Sequence, residues 1–260
     1  MLRTERLTKR FGGLTAVNNV EFALDSSECC AVIGPNGAGK TTLFNLLTGT
    51  LEPTSGSISL MRDGAWSDIT GASPERVASL GVHRSFQLTS VFEASTVLEN
   101  VRIAEQAAGV NAHNCWRNVN AFDEHVEAAH EILERVGLAD QATVVAETLS
   151  HGEKRTLEIA IALAGDPDVL LLDEPNAGVS SESVGEIIQL IEDVASDHAV
   201  VLIEHNMEIV MSVSDRVLVL NQGQVIANDE PAAVRGDETV QKAYLGGYER
   251  GDLNTGGEPV

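Results

Sequence analysis

The sequence is short of lysine and cysteine, and each shortage closes a class of function. Only four of its 17 basic side chains are lysines, and they stand against 39 aspartates and glutamates, for a formal charge of −22. Such a surface repels phosphate backbones and anionic headgroups, so no nucleic-acid partner is expected and direct lipid contact is disfavoured. The three cysteines lack metal-ligand spacing, and two of them, Cys29 and Cys30, are neighbours inside an apolar run. That usage argues against a disulfide framework or a zinc site and for a reducing cytoplasm. No apolar run approaches the roughly 20 residues that span a bilayer, and Met1 to Arg10 is too charged for a secretory signal. The expectation is a soluble chain that reaches a membrane only through partners. The acid-rich balance also reads as halophilic, an adaptation to high intracellular salt, where the Debye length shrinks to roughly 3 Å at 1 M and self-repulsion is screened. A fold that loosens as salt is withdrawn would separate this reading from an ordinary acidic protein.

What is present is a series of short apolar runs divided by Gly, Asn and Asp turns. The 260 residues suit one α/β domain with an inserted or appended subdomain. The part up to about Ile69 reads as strands around a glycine loop, with Cys29 to Ile33 buried on both faces and a helix from Lys40 to Thr48 ending near Gly49. From about Phe92 to Gly165 the pattern is helical. Phe122, Val126, Ala129, Leu133 and Val136 form one apolar stripe there, and Gly137 reads as its stop. Val169 to Leu172 and Ala199 to Ile203 read as buried strands, and Val184 to Val194 as a helix with Ile187, Ile188 and Ile191 inward. Arg216 to Ala227 reads as a hairpin about Asn221-Gln222-Gly223, followed by a short helical end to about Leu245 and a disordered tail. Strands alternating with helices imply a mostly parallel sheet.

Gly34-Pro35-Asn36-Gly37-Ala38-Gly39-Lys40-Thr41, followed by Thr42, matches the phosphate-loop pattern in full and lies between a strand and a helix. Glycines let backbone amides close on phosphates, Lys40 reaches the β and γ oxygens, Thr41 offers its hydroxyl to Mg2+, and the helix points its positive end at them. Asp173, at the end of a buried strand, is costly unless it meets a cation, and a bound Mg2+ would supply one. Glu174 can then aim a water at the γ-phosphate of ATP as base or orienting group. Taken alone, Asp173 and Glu174 also read as a helix N-cap and a first-turn acid.

Leu149-Ser150-His151-Gly152-Glu153, about twenty residues before Asp173, reads by itself as a Ser N-cap that opens a helix from about Gly152 to Ala164. It also resembles the signature of ABC transporter ATPases. The likeness covers about residues 1 to 245 and implies an α/β P-loop NTPase of ABC type, with a mostly parallel core sheet, an N-terminal antiparallel β subdomain and an inserted helical subdomain. It implies core segments 1–87 and 166–245, a helical subdomain at about 88–165, and a tail at 246–260.

The resemblance assigns Ser150, Gly152 and Glu153 to an ATP held by another subunit, Phe11 to adenine stacking, Gln87 to Mg2+ and the attacking water, and His205 to the γ-phosphate. Ser180 stands where many members have Asp. Phe11-Gly12-Gly13, Arg84-Ser85-Phe86-Gln87, Glu204-His205-Asn206-Met207 and Lys242-Ala243-Tyr244-Leu245-Gly246 are most similar to the longer ATPase of branched-chain amino acid importers. Urea and amide importers share much of this pattern. The implied partners are a second ABC ATPase subunit in a head-to-tail dimer, two transmembrane permease subunits at the cytoplasmic face of the membrane, and indirectly an extracytoplasmic solute-binding protein. The permeases would dock on an apolar patch near Gln87, with Phe86, Leu88, Val91 and Phe92 as candidates; the same residues also read as core.

Overall fold

The computed structural model describes residues 1–62, 64–85, 91–108, 120–179 and 183–245. The chain opens with two long strands, β1 (Leu2–Phe11) and β2 (Leu14–Leu24), paired antiparallel. Leu2 and Leu7 of β1 and Val17, Val20, Phe22 and Leu24 of β2 are buried, while alternate positions face water. The strict alternation is interrupted by bulges, and Arg6 and Asn19 take positive φ there. β3 (Cys29–Ile33) follows, buried at every position. It leads through the glycine loop into α1 (Lys40–Leu47). β4 (Ser55–Arg62) and β5 (Ala65–Asp68) complete a four-stranded antiparallel sheet in the order β2-β1-β4-β5.

The second sheet is built from distant segments. After α2 (Pro74–Ser79) comes β6 (Val82–Arg84), then α3 (Val97–Ala108), α4 (Asn120–Arg135) and α5 (His151–Leu163). β7 (Val169–Asp173), α6 (Val184–Ala195), β8 (Ala199–Ile203), α7 (Met207–Val213), β9 (Arg216–Asn221) and β10 (Gln224–Asp229) follow, and α8 (Pro231–Gly236) and α9 (Glu238–Leu245) end the described chain. The order is β10-β9-β3-β8-β7-β6, parallel except for the hairpin that adds β10.

Side chains of the central strands alternate between two cores. Val169 and Leu171 of β7 join Cys30, Val32, Phe44 and the inner face of the antiparallel sheet. Leu170 and Leu172 join Val97, Val101, Ala129, Leu133, Leu157 and Ile191 from the helices on the other side. Helices therefore cover both faces of the parallel part, which is why its strands read as unbroken apolar runs.

The periodic stripe falls in α4 and the residue after it, with Ala129, Leu133 and Val136 buried and Val126 half-buried. Phe122 lies outside the described side chains. Bonds from Leu138 N to Leu133 O and from Gly137 N to Glu134 O, 2.8 and 3.2 Å, close that helix in a Schellman arrangement.

Two short helices escape the sequence pattern. α2 starts at Ser73, whose Oγ accepts from Arg76 N at 3.4 Å, with Pro74 in its first turn. α7 starts at Asn206, whose Oδ1 accepts from Glu208 N at 2.9 Å. The stretch from Phe92 also begins as a loop. Asn100, 1% exposed, bonds both Phe92 N and Phe92 O and fixes that loop on α3.

Candidate functional site

Sheet order alone assembles the site. β3, β8, β7 and β6 are consecutive neighbours, and the phosphate loop, His205, Glu174 and Arg84 stand at their carboxyl ends. The loop is close-packed from behind. Gly34 and Gly39 have φ of 152° and 107°, and a Cβ would meet the Leu220 carbonyl at the first and the Ala16 carbonyl at the second. Neither position accepts a side chain, so the backbone is held open toward a ligand. Gly39 caps α1 with no side-chain acceptor, and α1 has no acid in its first turn. Its first amides are therefore available to an anion. Lys40 is 7% exposed and donates to the Gly34 and Pro35 carbonyls at 2.6 and 3.2 Å. Burial pulls its pKa down, while the carboxylates of Glu174 and Asp173 act in the opposite sense. A phosphate among these groups would relieve that burial cost.

Asp173 is 1% exposed, and Arg84 Nη2 donates to its Oδ2 at 2.5 Å. Arg84 Nη1 also donates to Asn45 Oδ1 on α1 at 2.7 Å, and the guanidinium lies 5.5 Å from the centre of the Phe44 ring. Glu174 takes φ of 51°, a left-handed backbone that costs a non-glycine residue about 1–3 kcal/mol and persists only where neighbours enforce it. Its N–H donates to Ile203 O at 2.8 Å, its carbonyl accepts from Ala177 N at 2.9 Å, and its Oε1 lies 2.8 Å from His205 Nε2. The two side chains remain 32% and 46% exposed, open to a reactant.

Three contributors were not singled out in the sequence. Arg84 is one, and Arg155 is another: it is buried and bonds the backbone of both Asp173 and Glu174. Glu204 is the third. It is 4% exposed and accepts from Asn176, His205 and Asn206 amides at 3.0, 2.9 and 3.1 Å, so one carboxylate ties the loop after Glu174 to the loop carrying His205. Only Glu204 left a signal in the sequence, as an acid directly after the apolar strand β8.

Ser150 has extended φ and ψ of −62° and 165° and caps α5 in a full capping box. Its Oγ accepts from Glu153 N at 3.3 Å, and Glu153 Oε2 accepts from Ser150 N at 2.7 Å. Glu153 is fixed from behind by Gln141 Nε2 at 2.6 Å. Ser150, His151, Gly152, Gly178 and Val179 line an open cavity of about 950 Å³, to which the phosphate loop contributes no residue.

Hydrogen bonds from Ser150 hold the Glu153 carboxyl below the usual glutamate range. A depressed carboxyl contributes stability that is complete above the unfolded pKa and is lost as pH falls through the folded value. Acidification below the usual glutamate range is therefore expected to loosen α5. In thermal unfolding scans, Glu153→Gln should lower stability at pH 7 and narrow its gap to the wild type as pH falls to about 3. A gap independent of pH would contradict the capping role.

Of the remaining expectations, Phe11 is 45% exposed at the end of β1, with Lys9 Nζ 5.2 Å from its ring centre, and so presents a face to a planar ligand. Asn36, Gly37 and Thr41 are exposed, and Thr42 is half-buried. Val91 is core, at 8% exposed, whereas Phe92 is 56% exposed beside a run containing Val145 at 40%. Gln87, Phe86, Leu88, Ser180 and the tail from Gly246 lie outside the described residues. Among the described residues, no group of three His, Cys, Asp or Glu side chains can hold a metal, and no helix is long and apolar enough to cross a membrane. A buried carboxylate and an exposed hydroxyl are hard oxygen donors. They suit Mg2+ shared with nucleotide phosphates better than an all-protein cage.

Residues 17–177 match the family described as ABC transporter, and residues 224–250 match the branched-chain amino acid ATP-binding cassette transporter family. The chain is 40% identical over 255 residues to the high-affinity branched-chain amino acid transport ATP-binding protein LivG of Escherichia coli, covering 95% of this chain and 98% of the relative. It is equally similar, at 40% with the same coverage, to BraF of Pseudomonas aeruginosa. Among solved structures, the ADP conformation of MJ1267, an ATP-binding cassette of an ABC transporter, superposes with a TM-score of 0.82 at 31% identity, over 95% of this chain and 98% of the other. The chain belongs to the ABC transporter family, as one of its ATP-hydrolysing cassettes of the branched-chain amino acid group.

Proposed function

We propose that this chain hydrolyses ATP at an interface with a second cassette and so drives uptake of branched-chain amino acids through two permease subunits, lying peripherally at the cytoplasmic face of the membrane. One observation carries the reading. The Ser150 helix start opens onto a cavity to which this chain's own phosphate loop contributes nothing. An anion at that helix start would have to come from elsewhere, and an ATP seated on another cassette has the right chemistry. MJ0796, a bacterial ABC transporter cassette of the same fold, has been solved as a dimer. The names of LivG and BraF support the choice of solute.

The chain's residues then divide the work. Lys40 and the uncapped amides of α1 hold the β and γ phosphates, and Phe11 offers a face to adenine. Thr41, Asp173 and, by family resemblance alone, Gln87 are the groups that would hold Mg2+, which when bound would neutralise developing charge on the phosphate oxygens. Glu174 takes the proton of the attacking water or orients it, and His205 steadies both Glu174 and the γ-phosphate. Ser150 and the first amides of α5 would meet the other cassette's nucleotide, while the Glu153 box keeps the serine in place.

Light scattering on the purified chain, with and without ATP, tests this. The expected result is an ATP-dependent dimer, formed alone or only after a second cassette is added, with turnover following dimer concentration. Hydrolysis at full rate by a strict monomer would overturn the half-site reading.

A further inference from the structure

α5 serves two places at once. Its start is the Ser150 half-site, and little more than one turn along it Arg155 turns inward to the catalytic strand. Arg155 Nη2 donates to the Asp173 carbonyl and, at 3.0 Å, to the Glu174 carbonyl. Its Nη1 donates at 2.5 Å to Glu158 Oε2, one turn further along the same helix. Both side chains are nearly excluded from water, at 8% and 7% exposed.

A buried ion pair is poor evidence of stabilisation, because desolvation cancels much of the attraction. The geometry gives a better account of why the pair is there. Glu174 holds a strained left-handed backbone, and Arg155 Nη2 grips the carbonyls on both sides of the Glu174 Cα while Nη1 is held by Glu158. A planar guanidinium with several fixed donors can bridge two carbonyls and a carboxylate together; an ammonium is a point charge and cannot hold that geometry.

We infer that Arg155, held by Glu158, is a positioning residue that couples the half-site this chain lends to the other cassette's ATP to the chain's own hydrolytic carboxylate. This rests on the proposed roles of Glu174 and of the two-cassette interface. Phosphate engaging Ser150 pulls on the start of a rigid helix. The helix carries Arg155, Arg155 carries the Glu174 carbonyl, and the Glu174 carboxylate shifts relative to His205. Each ATP site thereby reports its closure to the other through one guanidinium. Such reciprocity appears as cooperativity, with a Hill coefficient bounded by the two sites.

The test uses the assembled ATPase and three variants of this chain. Arg155→Lys keeps the charge beside Glu158 but loses the fork. Arg155→Met with Glu158→Leu removes both charges and leaves neither unpaired, which guards against simple unfolding. Glu174→Gln is the control for the underlying reading. In both Arg155 variants, ATP affinity of the isolated chain should stay within about twofold. Turnover in the assembly should fall about 10- to 100-fold, as misplacement of a reacting group does. The Hill coefficient for ATP should drop from near 2 to about 1. Unchanged turnover and cooperativity in the double variant, with Glu174→Gln inactive, would overturn the inference. A fall in turnover with cooperativity intact would also overturn it, leaving Arg155 a structural prop. Full activity in Glu174→Gln would instead remove the functional reading on which the inference stands.

Discussion

Glu174→Gln is expected to bind ATP as the wild type does and to hydrolyse it about 10²- to 10⁴-fold more slowly, the usual worth of a positioned base. Glutamine is nearly isosteric, so the backbone bonds to Ile203, Ala177 and Arg155 and the left-handed φ of 51° are unaffected. Its amide can still meet His205 Nε2 across the 2.8 Å now spanned by the carboxylate, but it cannot accept a proton from water. Binding survives because the phosphates are held elsewhere, by Lys40 and the amides of the loop. Loss of one carboxylate near Lys40 reduces the negative field around the phosphate site, so affinity is expected to hold or rise slightly. Equilibrium nucleotide titration and steady-state phosphate release measure the two effects separately. Normal turnover would remove Glu174 from the chemistry. Lost binding with a destabilised fold would mean that the substitution had acted through the loop.

The parts of this site that could be read in the sequence are those whose chemistry dictates residue type at fixed spacing. Gly34, Gly39, Lys40 and Thr41 lie within a single turn and helix start, and every one answers to phosphate geometry. Asp173 and Glu174 were legible because two acids closing a buried strand demand a cation and a reason. Ser150 was legible as a cap from local rules, and its proposed place as half of a divided site came only from family likeness. Arg84 and Glu204 were different. Arg84 meets Asp173 across 89 residues, and Glu204 reaches Asn176 across 28, so no local pattern announces either contact. Arg155 sits on a helix beside other charged residues and reads as surface until the fold turns it inward. The short helices α2 and α7 were illegible for a related reason: six and seven residues complete too few turns to display a period. The fold class was recoverable because it depends on alternation summed over the whole chain, which tolerates such local misses.

Arg84→Met should destabilise the protein by about 3–5 kcal/mol, since it strands a buried carboxylate without its partner. Asp173 is 1% exposed, and the Arg84 guanidinium that faces it is itself only 8% exposed, so water cannot take over. The same substitution frees Asn45 and loosens the join between β6 and α1, a charge-assisted bond that adds about 1.5–3 kcal/mol. A double-mutant cycle distinguishes the contributions. If the stranded charge dominates, Arg84→Met with Asp173→Asn will recover much of the loss in urea unfolding; if packing over Phe44 dominates, the two changes will add. The single variant also bears on Asp173 as a metal ligand. With Arg84 removed, the carboxylate has a vacancy for positive charge, and Mg2+ with ATP can fill it. The stabilisation conferred by Mg2+ and ATP together should therefore exceed that in the wild type, by binding linkage, while ATP with a chelator should not reproduce it. Equal stabilisation of the two proteins would place the metal away from Asp173.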